Sequence, residues 1–369
     1  MMPMTSGSVS VQGLPSVHTR HSPRVGLLVG LLSIGILLSP AEGATHHRRA
    51  ATPQKASRTV HPKKRSTPAP PGAQLSGSRR ARLSRAKAAR TRAQWLESQQ
   101  PRYKLDDEGT IVPDIRAAAA IIYNPDNGQV LWEENSQNKR SIASITKVMT
   151  TTVFLEGHPD LTRVVTVDRS DVLAARHTYL RANDQVTLDD LLHLTLIASD
   201  NAAARALARS SPQGTDAFVH RMNEKALELG LDNTTYADPS GLDPANMSSA
   251  YDMARLIAFA AGDERIASVM RTPYYTVRTP RRSTTVHSTN QLVMKGDVDV
   301  RGGKTGFISQ AGYCLATLLR LPQTNQLVAV VVLGAHSIAG RFMETRHLFN
   351  WLNSKATDFF AKTAVADPQ

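Results

Sequence analysis

The sequence has only one cysteine, Cys314, among its 369 residues. A single cysteine excludes an intrachain disulfide bond, and its position in the apolar run AGYCLATLLRL predicts a small buried core residue rather than a nucleophile. The histidines form neither an H-E-x-x-H pattern nor a cluster with cysteine. We therefore expect no metal, no zinc peptidase chemistry and no cofactor.

Acidic residues are missing from residues 45–96, which hold 14 lysines and arginines. From residue 97 onward, the chain has 28 lysines and arginines and 30 aspartates and glutamates. The formal charge of +13 therefore belongs to the N-terminal part of the chain, and the remainder is nearly neutral. This distribution argues against a nucleic-acid partner.

The N-terminal apolar run, from Val25 to Leu38, has 14 residues and is shorter than the roughly 20 that a membrane-spanning helix needs. Two arginines precede it and the small-residue stretch SPAEGA follows it. This pattern predicts a secretory signal peptide over residues 1–43, with cleavage after Ala41 or Gly43, and a periplasmic protein. An uncleaved membrane anchor is the weaker alternative.

Residues 44–102 are rich in proline, serine and arginine and poor in large apolar residues. Such a composition cannot bury enough surface to offset the entropy cost of ordering the chain, so we predict a flexible basic tether. Its alanine- and arginine-rich end, residues 79–92, can form a helix against an anionic membrane or wall polymer. A solvated linker is the alternative. A folded domain is expected over residues 103–363.

The pattern Ser-x-x-Lys occurs three times, at Ser84/Lys87, Ser136/Lys139 and Ser144/Lys147. The first lies in the predicted tether, and the second lies in the polar stretch NSQNKR, where no apolar face would desolvate the lysine. The third begins the run SITKVMTTTVFLEG, whose apolar residues predict a buried helix. Because positions i and i+3 share a helix face, the Ser144 hydroxyl and the Lys147 amine can meet there.

That pairing has a chemical use. A serine hydroxyl is a weak nucleophile, and a lysine can act as its base only if burial or a nearby cation lowers the lysine pKa. The backbone N–H of a serine at a helix start can also form half of an oxyanion hole. The structural alternative is a serine N-cap followed by a surface lysine.

The stretch VTLDDLLHLTLIASDNAAARALAR predicts a helix capped by Thr187, a break, and a second, alanine-rich helix. The turn between these helices can present Ser199 and Asn201 to a cleft while Asp200 faces elsewhere. The tripeptide at residues 288–290 has the same Ser-x-Asn spacing, but the β-branched run around it is more typical of a strand end.

Lys304, Thr305 and Gly306 lead the stretch KTGFISQAGYCLATLLRL, which is typical of an edge strand. A glycine in a strand allows another backbone to approach closely. Lysine and threonine side chains can together bind a carboxylate. A carboxylate-bearing ligand is therefore expected beside this strand.

The three motifs occur in a fixed order, with 55 residues from Ser144 to Ser199 and 105 from Ser199 to Lys304. Together they resemble the S-x-x-K, S-D-N and K-T-G set of low-molecular-mass penicillin-binding proteins, in particular the D-alanyl-D-alanine carboxypeptidases and endopeptidases. The resemblance covers roughly residues 103–355 and includes the stretch MNEKALELGLDNTTYADPSGLDPANMSSAYDMARL. The stretch KTGFISQAGYCL is especially similar to the endopeptidase branch.

The resemblance implies a role for each motif residue. Ser144 would be the acylated nucleophile, Lys147 its general base and Ser199 a proton relay towards the leaving amine. The substrate-binding residues would be Asn201 for the substrate amide, Lys304 for the positive field that keeps Lys147 neutral, Thr305 for the substrate carboxylate, and Gly306. The oxyanion hole would comprise the backbone N–H groups of Ser144 and Phe307.

The implied fold is α/β (α+β) and β-lactamase/DD-peptidase-like: a mainly antiparallel sheet flanked by helices, with a helical lobe inserted between the first and third motifs. The implied activity is that of a serine DD-peptidase acting on peptidoglycan and inhibited by β-lactams. Only 63 residues follow Gly306, which leaves little chain for a second β-rich module. We therefore expect an endopeptidase that cuts cross-links, with carboxypeptidase activity as the alternative.

Two rival functions fit the sequence less well. A class A β-lactamase needs a glutamate with an asparagine four residues later, but Glu224 is followed at that spacing by Glu228. A wall-binding protein with a decayed site is disfavoured because every motif residue with an implied role is intact.

Overall fold

The computed structural model describes residues 81–90, 92, 96, 100–212 and 214–365, with side chains to residue 357. The predicted signal peptide, with both cleavage positions, and the first part of the predicted tether lie outside these residues. Residues 81–90 form a helix, α1, whose side chains are exposed. No helix within the described ranges combines the length and apolarity that a membrane span requires.

Five antiparallel strands form the central sheet, in the order β11-β12-β13-β3-β4. Their bounds are Ala119–Tyr123 (β3), Val130–Glu134 (β4), Asp299–Ile308 (β11), Gly312–Arg320 (β12) and Leu327–Ala335 (β13). The predicted hairpin around Asn127 and Gly128 joins β3 to β4, and Gly128 takes the positive φ angle of 77° that such a turn requires. The strand that carries the third motif, β11, is an edge strand as predicted.

The sheet separates two hydrophobic cores because alternate residues of a strand point to opposite faces. Val330 and Val332 of β13 pack with Phe342 and Leu352 of the C-terminal helix α10, which spans Ile338–Val365. Val331, between them, packs with the helices on the other face. Full burial of each such side chain contributes about 1.5 to 3 kcal/mol to stability.

Most of the remaining helices form the lobe on that other face. They are η1 (Ala143–Ile145), a 3-10 turn, and the helices α2 (Thr146–Glu156), α3 (Arg169–Val172), α4 (Leu188–Leu196), α5 (Asn201–Ser210), α6 (Gly214–Glu228), α7 (Ala250–Ala261) and α8 (Glu264–Arg271). Side-chain caps fix several starts. Thr187 and Asp190 form the capping box that begins α4, as the sequence predicts for Thr187, and Asp200 caps α5.

Short two-stranded sheets complete the domain. They pair β1 (Tyr103–Leu105) with β2 (Ile111–Pro113), β5 (Arg140–Ser141) with β8 (Met247–Ser248), β6 (Val164–Thr166) with β7 (Gln185–Thr187), and β9 (Tyr274–Thr279) with β10 (Arg282–His287). Helix α9 covers Gln291–Lys295. The fold is thus the predicted sheet with helices on both faces and a helical lobe between the first and third motifs.

Candidate active site

Ser144 lies in the 3-10 turn η1 that leads directly into α2. The residue before it, Ala143, has a φ angle of 49°, which turns the chain sharply at the serine. No side chain caps α2, whose N-cap is Ile145, so Ser144 does not serve as a helix cap. Its hydroxyl oxygen instead lies 3.0 Å from the amine of Lys147.

Lys147 is fully buried. Its amine also donates hydrogen bonds to Asn201 Oδ1 at 2.6 Å and to the carbonyl of Ser240. Burial is the largest influence on this amine and lowers the pKa of Lys147 to about 7. The carboxylates of Asp238 and Asp200 act in the opposite direction. Lys147 is therefore neutral in a large fraction of molecules near neutral pH.

The second motif lies at the turn between α4 and α5. Ser199 takes a left-handed φ angle of 59°, and Asp200 is buried, where it accepts hydrogen bonds from the amides of Tyr179 and Ala203. Asn201, the first residue of α5, reaches Lys147. The turn thus presents Ser199 and Asn201 to the site and directs Asp200 into the protein, as the sequence predicts.

The segment at residues 173–184 supports this turn from outside. The carbonyl of Ala175 accepts a hydrogen bond from Asn201 Nδ2 at 2.8 Å, and the carbonyl of His177 accepts one from the Asn201 amide at 3.1 Å. With Oδ1 bonded to Lys147, every polar group of the Asn201 side chain has a partner. The position of Asn201 is therefore fixed before any substrate arrives.

The third motif faces the second. The amine of Lys304 donates to Ser199 Oγ at 2.8 Å and to the carbonyl of Thr305 at 3.0 Å. Burial lowers the pKa of Lys304 well below its ordinary value, and the neighbouring charge of Lys147 adds to the effect. Burial therefore disfavours the charge on both lysines. The resemblance implied that the positive field of Lys304 keeps Lys147 neutral, but burial is the main cause of the lowered pKa of Lys147.

Thr289 adjoins the third motif, a contact that the sequence does not indicate, since it predicts only a strand end at residues 288–290. Strand β10 does end at His287, but the chain then brings the Thr289 hydroxyl to 2.6 Å from the Thr305 hydroxyl. The Thr289 amide donates to the carbonyl of Ile197, which lies beside the second motif. Two adjacent hydroxyl groups therefore lie at this end of the site.

Gly306 lies against the turn that carries Ser144. A Cβ atom at this position would lie 2.6 Å from the carbonyl oxygen of Ile142 and 3.3 Å from the amide nitrogen of Ser144. Any larger residue would therefore push β11 away from the serine. The next residue, Phe307, is about half exposed, and its ring stacks on Tyr313 with a centroid distance of 4.2 Å.

Arg341 of α10 holds this part of β11 from behind. Its guanidinium group donates to the carbonyl of Gly306 at 3.1 Å and lies above the ring of Tyr313. Burial lowers the pKa of Arg341 to about 10. This contact spans 35 residues, and no local pattern in the sequence indicates it.

The loop at residues 238–246 closes the site beneath Lys147. The carboxylate of Asp238 accepts hydrogen bonds from the amides of Ser240, Gly241 and Asp243 and from Asn246 Nδ2. Burial alone would raise the pKa of Asp238, but these hydrogen bonds outweigh it and lower the pKa. The loop presents the Ser240 carbonyl to Lys147. The turn-forming sequence DPSG was a local signal for this loop, but not for its position.

The other two Ser-x-x-Lys pairs do not form sites. Ser84 lies on the exposed helix α1, and its hydroxyl donates to the carbonyl of Ala81 within the same helix. Ser136 is buried and donates to Glu133, while Lys139 is exposed. Only the pair at Ser144 and Lys147 adjoins the second and third motifs.

A serine paired with a buried lysine of lowered pKa, beside a second buried lysine and two adjacent threonine hydroxyls, is the arrangement of a serine hydrolase that works through an acyl-enzyme. Comparison with known families agrees: the family model of Peptidase S11, D-alanyl-D-alanine carboxypeptidase, matches residues 107–337. The match covers more than half of the chain, which belongs to this family of serine peptidases.

Relatives and solved structures extend the match. A D-alanyl-D-alanine endopeptidase of Pseudomonas aeruginosa is 33% identical over 245 residues, covering 65% of this chain and 78% of the relative. The D-alanyl-D-alanine carboxypeptidase DacF of Bacillus subtilis is 33% identical over 227 residues, covering 59% of this chain and 57% of the relative. The crystal structure of the Streptomyces K15 DD-transpeptidase superposes with a TM-score of 0.60 at 28% identity, covering 65% of this chain and 97% of that one.

Proposed function

We propose that this protein is a serine DD-peptidase that hydrolyses D-alanyl bonds of peptidoglycan stem peptides, chiefly as an endopeptidase that cuts cross-links. The observation that carries the proposal is the buried amine of Lys147, held between Ser144 Oγ at 3.0 Å and Asn201 Oδ1 at 2.6 Å. This geometry supplies a nucleophile, a base of suitable pKa and an orienting group at one point.

Acylation uses these groups in order. Neutral Lys147 accepts the Ser144 proton while the serine oxygen attacks the D-alanyl carbonyl carbon. The N–H groups of Ser144 and Phe307 stabilise the resulting oxyanion. The carbon–nitrogen bond then breaks, and Ser199 relays to the leaving amine the proton that Lys147 took from Ser144, which returns Lys147 to its neutral form. Water then attacks the acyl ester while neutral Lys147 accepts its proton, and the same proton passes to the Ser144 oxygen as the acid leaves.

Substrate binding is assigned to the remaining motif residues. Asn201 holds the amide of the acyl part, and Gly306 lets the substrate backbone approach β11. Lys304 and Thr305 bind the carboxylate of the leaving part, which favours the charged form of Lys304 as it binds. Thr289 adds a second hydroxyl beside that of Thr305.

Endopeptidase activity is favoured over carboxypeptidase activity by the relatives. The chain matches 78% of the length of the Pseudomonas endopeptidase but 57% of the length of the Bacillus carboxypeptidase at the same identity. Incubation of the protein with cross-linked muropeptide dimers should release monomers, identified by mass. Rapid trimming of monomeric pentapeptides with intact dimers would favour carboxypeptidase activity instead.

The β-lactamase alternative has no support in the site. Glu224 lies on the exposed side of α6, where it pairs with Arg221 and His220, and it does not adjoin Ser144. Glu224 is therefore not placed to direct a water molecule at the acyl-enzyme, as the glutamate of a class A β-lactamase would. β-Lactams are expected to acylate Ser144 and remain bound, because their leaving amine stays tethered to the acyl group and cannot diffuse away.

The region before the catalytic domain, whose bounds we place at 103–363, is assigned to export. A signal peptide over residues 1–43 would deliver the enzyme to the periplasm, where its peptidoglycan substrate lies. Residues 44–102 would then tether the domain near an anionic membrane or wall polymer.

Deletion of residues 45–96 should leave hydrolysis of a small soluble peptide unchanged, because every site residue lies beyond them. Binding of the protein to anionic vesicles or wall material should weaken. Sedimentation at several salt concentrations measures this, and wild-type binding should fall steeply with salt, since exposed charges are screened beyond about 10 Å at 0.1 M. Salt-independent binding would contradict an electrostatic tether.

The rate of acylation by penicillin should rise with pH and level off above about 7. Lys147 acts as a base only when neutral, and its pKa of about 7 means that each pH unit below this value lowers the rate about tenfold. Stopped-flow measurement of acylation from pH 5 to 9 tests this. A rate that stays constant down to pH 5 would exclude Lys147 as the base.

Two substitutions should move this pH profile in opposite directions. The carboxylate of Asp238 raises the pKa of Lys147, so Asp238→Asn should shift the acidic limb to lower pH. Arg205 lowers that pKa, so Arg205→Gln should shift the limb to higher pH. Asp200 and Lys304, the other charged groups around Lys147, stay unchanged in both variants. Shifts of the same sign would contradict electrostatic tuning of this lysine.

A further inference from the structure

The backbone of residues 174–179, beside the second motif, takes angles that residues with a Cβ atom rarely adopt. Ala174 and Arg176, on either side of the buried Ala175, have left-handed φ angles of 53° and 56°. Such angles are unfavourable for residues other than glycine and persist only where the surrounding structure imposes them. The contacts of these residues therefore indicate what the unusual backbone is for. We call residues 174–179 the strained segment.

Thr178 joins the strained segment to the second motif. Its hydroxyl donates to the buried carboxylate of Asp200 at 3.0 Å, and the amide of Tyr179 donates to the same carboxylate oxygen. The Thr178 oxygen also accepts a hydrogen bond from the amide of Leu180 at 3.0 Å. The other oxygen of Asp200 accepts from the Ala203 amide and caps α5. One oxygen of Asp200 therefore serves the helix and the other holds the segment.

The strained segment in turn orients the side-chain amide of Asn201. Asn201 Nδ2 donates to the carbonyl of Ala175 at 2.8 Å, and the backbone amide of Asn201 donates to the carbonyl of His177 at 3.1 Å. An amide nitrogen carries two N–H groups, so the bond to Ala175 leaves the second N–H for the substrate amide that the proposed function assigns to Asn201. Movement of Ala175 would release this group to rotate.

The nucleophile and its base depend less on the strained segment. The amine of Lys147 donates to Ser144 Oγ and to the carbonyl of Ser240 as well as to Asn201 Oδ1. If the Asn201 side chain rotates, Lys147 keeps its other two partners. Loosening the segment should therefore weaken recognition of the acyl part of a ligand while the acylating groups stay in place.

We propose that Thr178 is a positioning residue for Asn201: it holds the strained segment on Asp200, and the segment holds the Asn201 amide ready for the amide of the acyl part. This inference rests on the proposed function, which gives Asn201 that role. It makes the preference of the site for ligands with an amide on the acyl side depend on a residue outside the three motifs.

The test compares acylation by benzylpenicillin, which has an amide in its side chain, with acylation by 6-aminopenicillanic acid, which has the same ring system without that amide. Thr178→Val keeps the shape of the side chain and removes both of its hydrogen bonds. It should slow acylation by benzylpenicillin at least about tenfold, because a displacement of about 1 Å can cost about 100-fold, and change acylation by 6-aminopenicillanic acid less than about twofold. Thr178→Ser keeps the hydroxyl and should restore both rates.

Two further variants bracket this result. Thr162→Val is the matched control, because the Thr162 hydroxyl also donates to an aspartate, Asp160, at 2.6 Å but outside the second motif. It should leave the ratio of the two rates unchanged. Asp200→Ser keeps one side-chain oxygen to cap α5 and lacks the one that accepts from Thr178. The ratio should fall as in Thr178→Val, and a changed pKa of Lys147 cancels in it because both reactions use Lys147.

Hydrogen exchange of the Asn201 backbone amide, bonded to His177, reports opening of the strained segment and should be faster in Thr178→Val. An equal fall in both acylation rates, or an unchanged ratio in Thr178→Val and Asp200→Ser, would overturn the inference. Asn201→Ala separates this failure from failure of the proposed function. A preference for benzylpenicillin that is lost in Asn201→Ala and kept in Thr178→Val overturns the role of Thr178 alone, whereas a preference kept in Asn201→Ala contradicts the role of Asn201 itself.

Discussion

Replacing Ser144 by alanine should abolish covalent labelling by penicillin and hydrolysis of stem peptides. The hydroxyl is the only group in the proposed mechanism that forms the acyl bond, so the loss should be about 10⁴-fold or more. Labelling with fluorescent penicillin, followed by mass spectrometry of the intact protein, measures it. Lys147→Ala should retain the nucleophile but lose its base, and acylation should slow by about 10³- to 10⁴-fold.

The two other serines of the same pattern supply matched controls. Ser84→Ala removes a hydroxyl that bonds only within its own exposed helix, and Ser136→Ala removes one that bonds Glu133. Both variants should be labelled at the wild-type rate. Loss of labelling in either control, with the fold retained by circular dichroism, would contradict the assignment of Ser144.

The three motifs could be located from the sequence because each depends on local structure. Ser144 and Lys147 share a helix face at i and i+3, and Ser199 and Asn201 flank a residue that caps the next helix. Lys304 and Gly306 lie on a strand whose edge position follows from its pattern. In each case a short run of residues determines the element and the direction of its side chains.

The rest of the site depends on contacts between distant segments. Ser240 bonds Lys147 across 93 residues, and Arg341 bonds the Gly306 carbonyl across 35. Thr289 follows a strand in the way the sequence predicts, but its contact with Thr305 arises from tertiary packing. A local pattern can predict a turn or a strand end, but it does not say what packs against it.

The cause of the lowered Lys147 pKa illustrates the same limit. The sequence offered two routes, burial or a neighbouring cation, and the resemblance assigned the effect to Lys304. Helix α2 is buried along nearly its whole length, including three consecutive threonines, Thr150 to Thr152. Their hydroxyls donate hydrogen bonds to backbone carbonyls, which lets these polar side chains lie inside the protein. This burial is why desolvation acts first on Lys147.

Replacing Gly241 by alanine should disrupt the site more than any other single methyl-sized change in the loop at residues 238–246. Gly241 has a φ angle of 77°, which costs an alanine about 1 to 2 kcal/mol. A Cβ atom there would also lie 2.1 Å from the carbonyl oxygen of Ala143. The Ala143 carbonyl is a backbone group, so no side-chain rotation can relieve the collision. The turn that carries Ser144 must therefore move.

We therefore expect Gly241→Ala to lower the free energy of unfolding by about 3 to 5 kcal/mol and to slow penicillin acylation by at least about 100-fold. Gly296→Ala is the matched control: Gly296 also has a positive φ angle, 63°, but a Cβ atom there would meet nothing within 4 Å. This variant should lose only the 1 to 2 kcal/mol or so of backbone strain and keep its acylation rate. Denaturant unfolding and stopped-flow acylation of both variants separate the strain from the collision. Equal effects of the two substitutions would show that the turn at Ser144 does not depend on contact with Gly241.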